Sequence, residues 1–254
     1  VNMSARTKGD STAIAYMAEN KGKINVASGT TTTANGFGTV VSYAKGGEIK
    51  IDGNVVAKDG TVASDSLTTP YKYTNIGAFS GTNGLINING NIDIYGVGGM
   101  SDGPGAIVNL NGTGNAIKTG KSGALVAKGG GVVNFAGGTI DHSENVTGDH
   151  DTSTPMYADG SSHIYFKGLT TINIANGILI PGSAADYDSA TTGTTKYNGM
   201  SNVKINLTGD GVVLSANNGH TPFHWTGGTL GSVVENDMKL NPGSFNAGSH
   251  SYKI

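Results

Sequence analysis

The sequence predicts an all-β protein, a right-handed parallel β-helix with loop insertions. Two observations support this fold. A short motif of two apolar residues separated by one residue and followed by Gly recurs along the chain. Gly also accounts for 42 of the 254 residues, while charged residues make up only 13% and Cys is absent. Abundant Gly, Asn, Thr and Ser favour turns, and apolar residues at every repeat argue against disorder.

The stretch 85–96 shows the repeat most clearly. Apolar and polar residues alternate around Ile86 and Ile88, and the alternation breaks at Gly90 before it resumes. Successive side chains of a strand point to opposite faces, so we expect both Ile side chains to point inward and Asn87 to point outward. Gly90 is expected to form the bend with a positive φ, which Gly adopts without steric cost.

Copies of this motif divide the chain into units of about 22–25 residues, which is typical of a solenoid. Roughly eight to ten coils at about 4.8 Å each would form a rod about 40–50 Å long. The predicted inward ladder is Ile24, Val26, Ile49, Ile51, Ile86, Ile88, Val108, Leu110, Val133, Phe135, Ile164, Phe166, Ile205 and Leu207. A last copy is expected to place Phe223 and Trp225 in the core.

A second recurring element precedes several copies and is predicted to be the strand and corner that lead into each coil. It occurs at 43–47, 126–130 and 157–160. Residues 13–18 near the start are interpreted as part of the first coil, although a short helix is the alternative. We therefore expect one β-helical segment over 1–254, with insertions near 64–75, 141–155 and 182–199.

The insertions carry the residues that the sequence offers for binding. Loops on a rigid scaffold often hold functional residues. Exposed tyrosines in or beside them would suit stacking on a sugar or contact with a protein. The predicted binding residues are Tyr71, Tyr73, Asp149, His150, Tyr157, Tyr187 and Tyr197.

The second insertion also contains residue types found in metal or acid–base sites. Asp149, His150 and Asp151 are consecutive, and Asp141 and His142 lie close in the sequence. Their spacing matches no metal motif, and a solvated acidic loop is the alternative. We therefore expect no metal, no other cofactor and no catalytic residue here.

The sequence does not favour an enzyme. Pectate lyases and polygalacturonases are parallel β-helices that resemble this chain in architecture only. The lyases use an arginine or lysine base beside calcium-binding aspartates, and Arg6 is the only arginine here. The hydrolases need paired carboxylates, and no such pair recurs on consecutive coils. The net charge of −2 gives no reason to expect binding to nucleic acid, and no apolar run approaches the length of a membrane span.

The repeated Gly-x-Ile-x-Ile-x-Gly-Asn-Ile unit, the Asn, Gly and Thr corners, the lack of Cys and the near absence of Arg together resemble a known family. The chain is similar to the passenger domains of bacterial type V autotransporters, and most similar to the large adhesin passengers of fusobacteria. The resemblance covers essentially the whole chain, but it is architectural, and no binding residue is carried over from the family.

This resemblance implies a monomeric segment of a longer passenger, exported across the outer membrane to the bacterial cell surface. It implies adhesion to a host-cell receptor, either protein or glycan, or to the surface of a partner bacterium. It implies no insertion of this segment into the membrane and no nucleic-acid partner. Two alternatives are the cell-binding part of a secreted autotransporter toxin and a structural spacer without a ligand of its own.

Overall fold

The computed structural model describes residues 2–4, 13–35, 38–59, 75–119, 123–142, 154–180, 188, 190–191, 193, 195–215 and 229–232. These residues form short strands joined by corners, with a 3-10 helix at Met200–Asn202. The strands are β1 (Asn2–Ser4), β2 (Ala13–Glu19), β3 (Lys23–Val26), β4 (Thr31–Asn35), β5 (Thr39–Lys45), β6 (Glu48–Ile51), β7 (Asn54–Asp59), β8 (Asn75–Gly81), β9 (Leu85–Ile88), β10 (Ile92–Asp102), β11 (Ile107–Leu110), β12 (Asn115–Lys118), β13 (Leu125–Lys128), β14 (Val132–Phe135), β15 (Gly138–His142), β16 (Met156–Ala158), β17 (His163–Phe166), β18 (Thr170–Ile180), β19 (Tyr197–Asn198), β20 (Val203–Ser215) and β21 (Thr229–Ser232).

The strands stack into three parallel ladders. Ladder A is β1-β4-β7-β10-β12-β15-β18-β20-β21, ladder B is β2-β5-β8-β10-β13-β16, and ladder C is the seven-stranded sheet β3-β6-β9-β11-β14-β17-β19. The long strand β10 pairs in ladder A through its first half and in ladder B through its second half. The chain visits ladders B, C and A in turn, so each coil has three sides. The predicted parallel β-helix is confirmed.

The core is formed by the inner sides of the three ladders. Ile86 and Ile88 are fully buried and Asn87 is half-buried between them, as the alternation predicted. Phe135 and Phe166 on consecutive coils meet edge to face, with ring centroids 6.3 Å apart. The members of the predicted ladder that are fully buried on ladder C are Ile49, Ile51, Ile86, Ile88, Val108, Leu110, Val133, Phe135, Ile164 and Phe166.

The last pair of the predicted ladder belongs to a different side of the β-helix. Tyr197, not Ile205, pairs with Ile164 in ladder C. Ile205 is buried as predicted, but it pairs with Ile172 in ladder A, and Leu207 follows it there. Apolar-x-apolar patterns occur in both ladder A and ladder C. After a long insertion, the motif alone therefore does not indicate to which of the two ladders a strand belongs. Phe223 and Trp225 lie outside the described residues.

Gly90 is required for a reason other than the predicted one. Its φ is not positive, whereas positive φ occurs at other corner residues, for example at Asn83 (55°) and Gly105 (70°). A Cβ atom at Gly90 would collide with the carbonyl oxygen of Gly53 on the preceding coil. A Cβ atom at Gly112 would in turn lie too close to the carbonyl oxygen of Gly90. The corners between ladders C and A therefore stack in backbone contact and leave no room for a side chain.

The other recurring element forms ladder B, as predicted. Residues 43–47 and 126–130 hold the ends of β5 and β13 and the corners that follow them. Val126 pairs with Tyr157, so the copies lie in register on neighbouring coils. The strand β2 pairs with β5, which confirms a β-strand rather than a helix near the start of the chain.

Candidate functional site

The first two long insertions begin where a ladder A strand ends, whereas the third begins after Ile180, beyond Ile174, the partner of His142. Segment 60–74 lies between β7 and β8, segment 143–153 between β15 and β16, and segment 181–196 between β18 and β19. The first two return at the start of ladder B, and the third returns in ladder C. We call the edge from the ends of ladder A strands to the starts of ladder B strands the variable edge.

Strands occupy the ends of the predicted insertion ranges, so the second and third insertions are shorter than predicted, whereas the first begins earlier than predicted. Asn75 begins β8, and Asp141 and His142 end β15. In the third insertion, the backbone N–H of Asp188 donates to the carbonyl of Tyr197 at 2.9 Å. This contact joins the middle of that insertion to β19.

From β2 to β17, the other two edges have short corners in the described coils. At the corner between ladders B and C, the backbone N–H of Gly129 donates to Oδ1 of Asp159 at 2.9 Å, and that of Gly130 donates to Oγ of Ser162 at 2.9 Å. At the corner between ladders C and A, Gly residues stack in backbone contact. Added residues at either corner would break these contacts between coils, whereas loop closure costs little at the variable edge.

Five of the seven predicted binding residues lie outside the described residues: Tyr71, Tyr73, Asp149, His150 and Tyr187. Tyr157 lies on β16 close to the end of the second insertion, and 37% of it is exposed. The Nζ atom of Lys128 lies 5.7 Å from the centre of its ring. This exposed ring beside a cation could contact a protein or a sugar.

Tyr197, predicted as an exposed binding residue, is a core residue. Its side chain is fully buried on ladder C. Its hydroxyl oxygen accepts a hydrogen bond from the backbone N–H of Ala158 on ladder B at 3.0 Å. The side chain therefore spans the core between two ladders and is not available to a ligand.

Asp141 and His142 point to opposite sides of ladder A, because they are neighbours on one strand. Asp141 is half-buried, and His142 is buried in the column that contains Ile174 of the next coil. Burial lowers the pKa of His142 to about 4, although the negative charge of Asp141 opposes part of that shift. Among the described residues, no group of three or more His, Cys, Asp or Glu side chains is placed to hold a metal ion.

The outer side of ladder B carries an apolar surface that was not predicted from the sequence. Val126, for example, alternates with the core residues Leu125 and Ala127 and so points away from them. Tyr43 and Phe79 meet edge to face there, with centroids 5.3 Å apart. The outer apolar surface consists of Ile14, Val40, Tyr43, Ile76, Phe79, Val97, Met100 and Val126. Its signal in the sequence is that apolar residues occupy both faces of β5, with Val40 next to Val41 and Tyr43 next to Ala44, which is typical of a strand buried on both faces.

The outer side of ladder C carries a column of hydrogen-bonded amides. The Nδ2 atom of Asn109 donates to Oδ1 of Asn87, and Nδ2 of Asn134 donates to Oδ1 of Asn109, each at 2.7 Å. The next residue in the column is Tyr165. This column links three successive coils.

No protein-family model, curated protein or solved structure matches this chain. Within the ranges that the structure describes, no helix is long and apolar enough to cross a membrane.

Proposed function

We propose that this chain is a segment of an autotransporter passenger that acts as a cell-surface adhesin. Its β-helix is the stalk, and the insertions at the variable edge attach to a host-cell receptor, protein or glycan, or to the surface of a partner bacterium. The observation that carries this proposal is that two of the long insertions, 60–74 and 143–153, leave the β-helix at the same edge. Insertions on one edge form a row that a single partner can contact.

The stalk is suited to hold that row in place. Consecutive coils are joined by three parallel ladders and by one continuous apolar core. Each coil advances by about 4.8 Å, so insertions on different coils keep a fixed spacing. Binding loops held by a rigid scaffold lose less conformational freedom on binding, which favours affinity.

Two other functions compete with adhesion. The cell-binding part of a secreted toxin would use the same edge but would be released from the cell, whereas an adhesin stays attached. A structural spacer would need no binding residues at the variable edge and would bind no cell. Fractionation of cells that express the parent protein distinguishes a toxin, which is released, from an adhesin, which stays attached. A binding assay distinguishes a spacer from both.

The direct experiment replaces the insertions while the strands stay intact. Residues 60–74, 143–153 and 182–187 are each replaced by a short Gly-Asn turn, which keeps the flanking strands and the anchored Asp188. We expect a nearly unchanged melting temperature, because loop length contributes little to stability, and loss of attachment to host cells or to partner bacteria.

The control for this experiment is Leu169→Ser at a corner between ladders C and A. Leu169 is the most exposed large apolar residue of the described chain, at 84%, and lies away from the variable edge. This variant should attach normally. Full attachment by the shortened protein would contradict the proposal. Loss of attachment in Leu169→Ser would indicate that the binding site lies at the corner between ladders C and A.

The proposal also includes the absence of catalysis. Purified protein should leave polygalacturonate and other acidic glycans uncut, with or without added calcium. Depolymerisation that is lost when Asp149, His150 and Asp151 are replaced together would overturn the adhesin proposal.

A further inference from the structure

A second column of hydrogen-bonded side chains lines the corner between ladders C and A. The Nδ2 atom of Asn89 donates to Oδ1 of Asp52, and Nδ2 of Asn111 donates to Oδ1 of Asn89 at 2.8 Å. On the next coil the equivalent residue is Ala136, because its backbone N–H donates to the strand of the preceding coil as that of Asn111 does. Alanine has no group to continue the column, so the column ends at Asn111.

The two asparagines of this column are both exposed, but their amides are not held equally. The amide of Asn89 is hydrogen-bonded at its nitrogen and at its oxygen. Within the described part of the chain, the amide of Asn111 is hydrogen-bonded only at its nitrogen. The side chain of Asn111 is therefore the less restrained of the two.

Each of these asparagines is followed by a glycine that the packing requires. A Cβ atom at Gly112 would lie 2.6 Å from the carbonyl oxygen of Gly90, and one at Gly90 would collide with the coil before it. Asn-Gly is the sequence in which the next backbone nitrogen most easily attacks an asparagine side chain, because glycine has no Cβ atom to obstruct the approach. Asparagine is accordingly one of the thermolabile residues of proteins.

Two other Asn-Gly pairs are held more firmly. After Asn83, the backbone N–H of Gly84 donates to a carbonyl at 2.8 Å, whereas that of Gly112 makes no hydrogen bond within the described ranges. Asn198 is fully buried, and both ends of its amide are hydrogen-bonded to Thr195. Asn111 is thus the exposed asparagine whose amide and following nitrogen have the fewest partners.

We infer that Asn111 is a site of spontaneous deamidation, with solvent water as the co-reactant. The backbone nitrogen of Gly112 loses its proton to solvent and bonds to Cγ of Asn111, and the Cγ–Nδ2 bond breaks to release ammonia. The product is a five-membered succinimide. Water then opens the ring at either carbonyl, which leaves aspartate or isoaspartate at this position. The reaction is a hydrolysis overall and needs no oxidant or reductant.

Deamidation of Asn111 changes the corner. Its Nδ2 donor is replaced by an oxygen, so the hydrogen bond to Asn89 is lost and a negative charge faces Oδ1 of Asn89. One added carboxylate changes the formal net charge from −2 to −3. The corner can hold a carboxylate, because Asp52 is the equivalent residue two coils earlier. This inference does not depend on adhesion, because it concerns the chemistry of the chain itself.

The test follows each Asn-Gly pair by peptide mass spectrometry while the purified protein is incubated at mildly alkaline pH, either folded or in concentrated urea. In the folded protein we expect Asn111 to convert roughly fivefold faster than Asn89, the factor that corresponds to one hydrogen bond of about 1 kcal/mol. Asn83 and Asn198 should also convert more slowly than Asn111. In urea these four residues should convert at similar rates, because the fold no longer restrains them.

Two variants test the cause. Asn111→Gln keeps an amide but would have to form a larger ring, so the acidic form that ion-exchange chromatography detects should accumulate more slowly. Asn111→Ala removes the donor to Oδ1 of Asn89, which then ends the column, so conversion of Asn89 should accelerate roughly fivefold. An unchanged rate at Asn89 would contradict the role of these hydrogen bonds. The inference would be overturned if Asn111 stayed intact in the folded protein while it converted in urea, or converted no faster than Asn89.

Discussion

Asn109 donates a side-chain hydrogen bond to Asn87 across 2.7 Å, from one coil to the coil before it. Asn134 on the following coil makes the same bond to Asn109. These residues are also paired through the backbone of ladder C. The amides therefore favour the observed register, because a shift by one residue would oppose an amide to an apolar side chain.

Removal of the middle amide should destabilise the protein. Asn109→Ala removes two side-chain hydrogen bonds, and we expect a loss of about 1–2 kcal/mol because each contributes about 1 kcal/mol and the site is half-buried. Asn87→Asp keeps an oxygen that can accept from Asn109 and lies beside Lys50, so its effect should stay within about 0.5 kcal/mol. Urea unfolding of both variants checks this, and equal losses would contradict a role for the column.

The inward direction of Ile88 predicts a much larger effect one position away. Ile88→Asp would place an unpaired carboxylate in the core, where we expect a loss of several kcal/mol or unfolding of the segment. Asn87→Asp, on the outer side of the same strand, is the matched control. Similar melting temperatures for the two variants would show that the assigned strand faces are wrong.

Two serines in one column of ladder B should respond in opposite directions to replacement by alanine. Ser101 is buried and its hydroxyl has no hydrogen-bond partner in the described part of the chain, so Ser101→Ala should stabilise the protein by about 1 kcal/mol. Ser80 on the preceding coil accepts a hydrogen bond from the backbone N–H of Ile107 at 3.3 Å, so Ser80→Ala should cost about 1 kcal/mol. Thermal unfolding at neutral pH measures both, and stabilisation by Ser80→Ala would contradict the assignment.

His142 should make the protein sensitive to mild acid. Its pKa is about 4 in the folded chain and about 6.5 in an unfolded one, so its neutral form is favoured by folding. As the pH falls from about 6.5 to about 4, the unfolded chain binds a proton that the folded chain does not, and about 3 kcal/mol of stability is lost. Above this window His142 contributes no pH dependence.

His142→Gln removes this titration. The free energy of unfolding should then fall by about 2–3 kcal/mol less between pH 7 and pH 4 than in the parent protein. Denaturant unfolding at several pH values measures the difference. An unchanged pH dependence would show that His142 is solvated in the folded chain.

The sequence by itself determined the fold class and most of the core on ladder C. The alternation around Ile86 and Ile88, and its copy at Val133 and Phe135, is a local property of strands, so the inward residues could be recognised without the structure. The need for a small residue at Gly90 was also recognised, but its cause is contact with the backbone of another coil.

Only the tertiary structure decided which side of the β-helix each segment occupies. Tyr197 pairs in ladder C and Ile205 pairs in ladder A. An insertion of irregular length precedes both residues, so their ladders could not be assigned by counting residues from the previous coil. The common edge of the insertions 60–74 and 143–153 and the outer apolar surface around Val97 depend equally on the stacking of coils that are distant in sequence. A pattern within one coil specifies which residues point inward, whereas the order of three ladders around the core is set by contacts between coils.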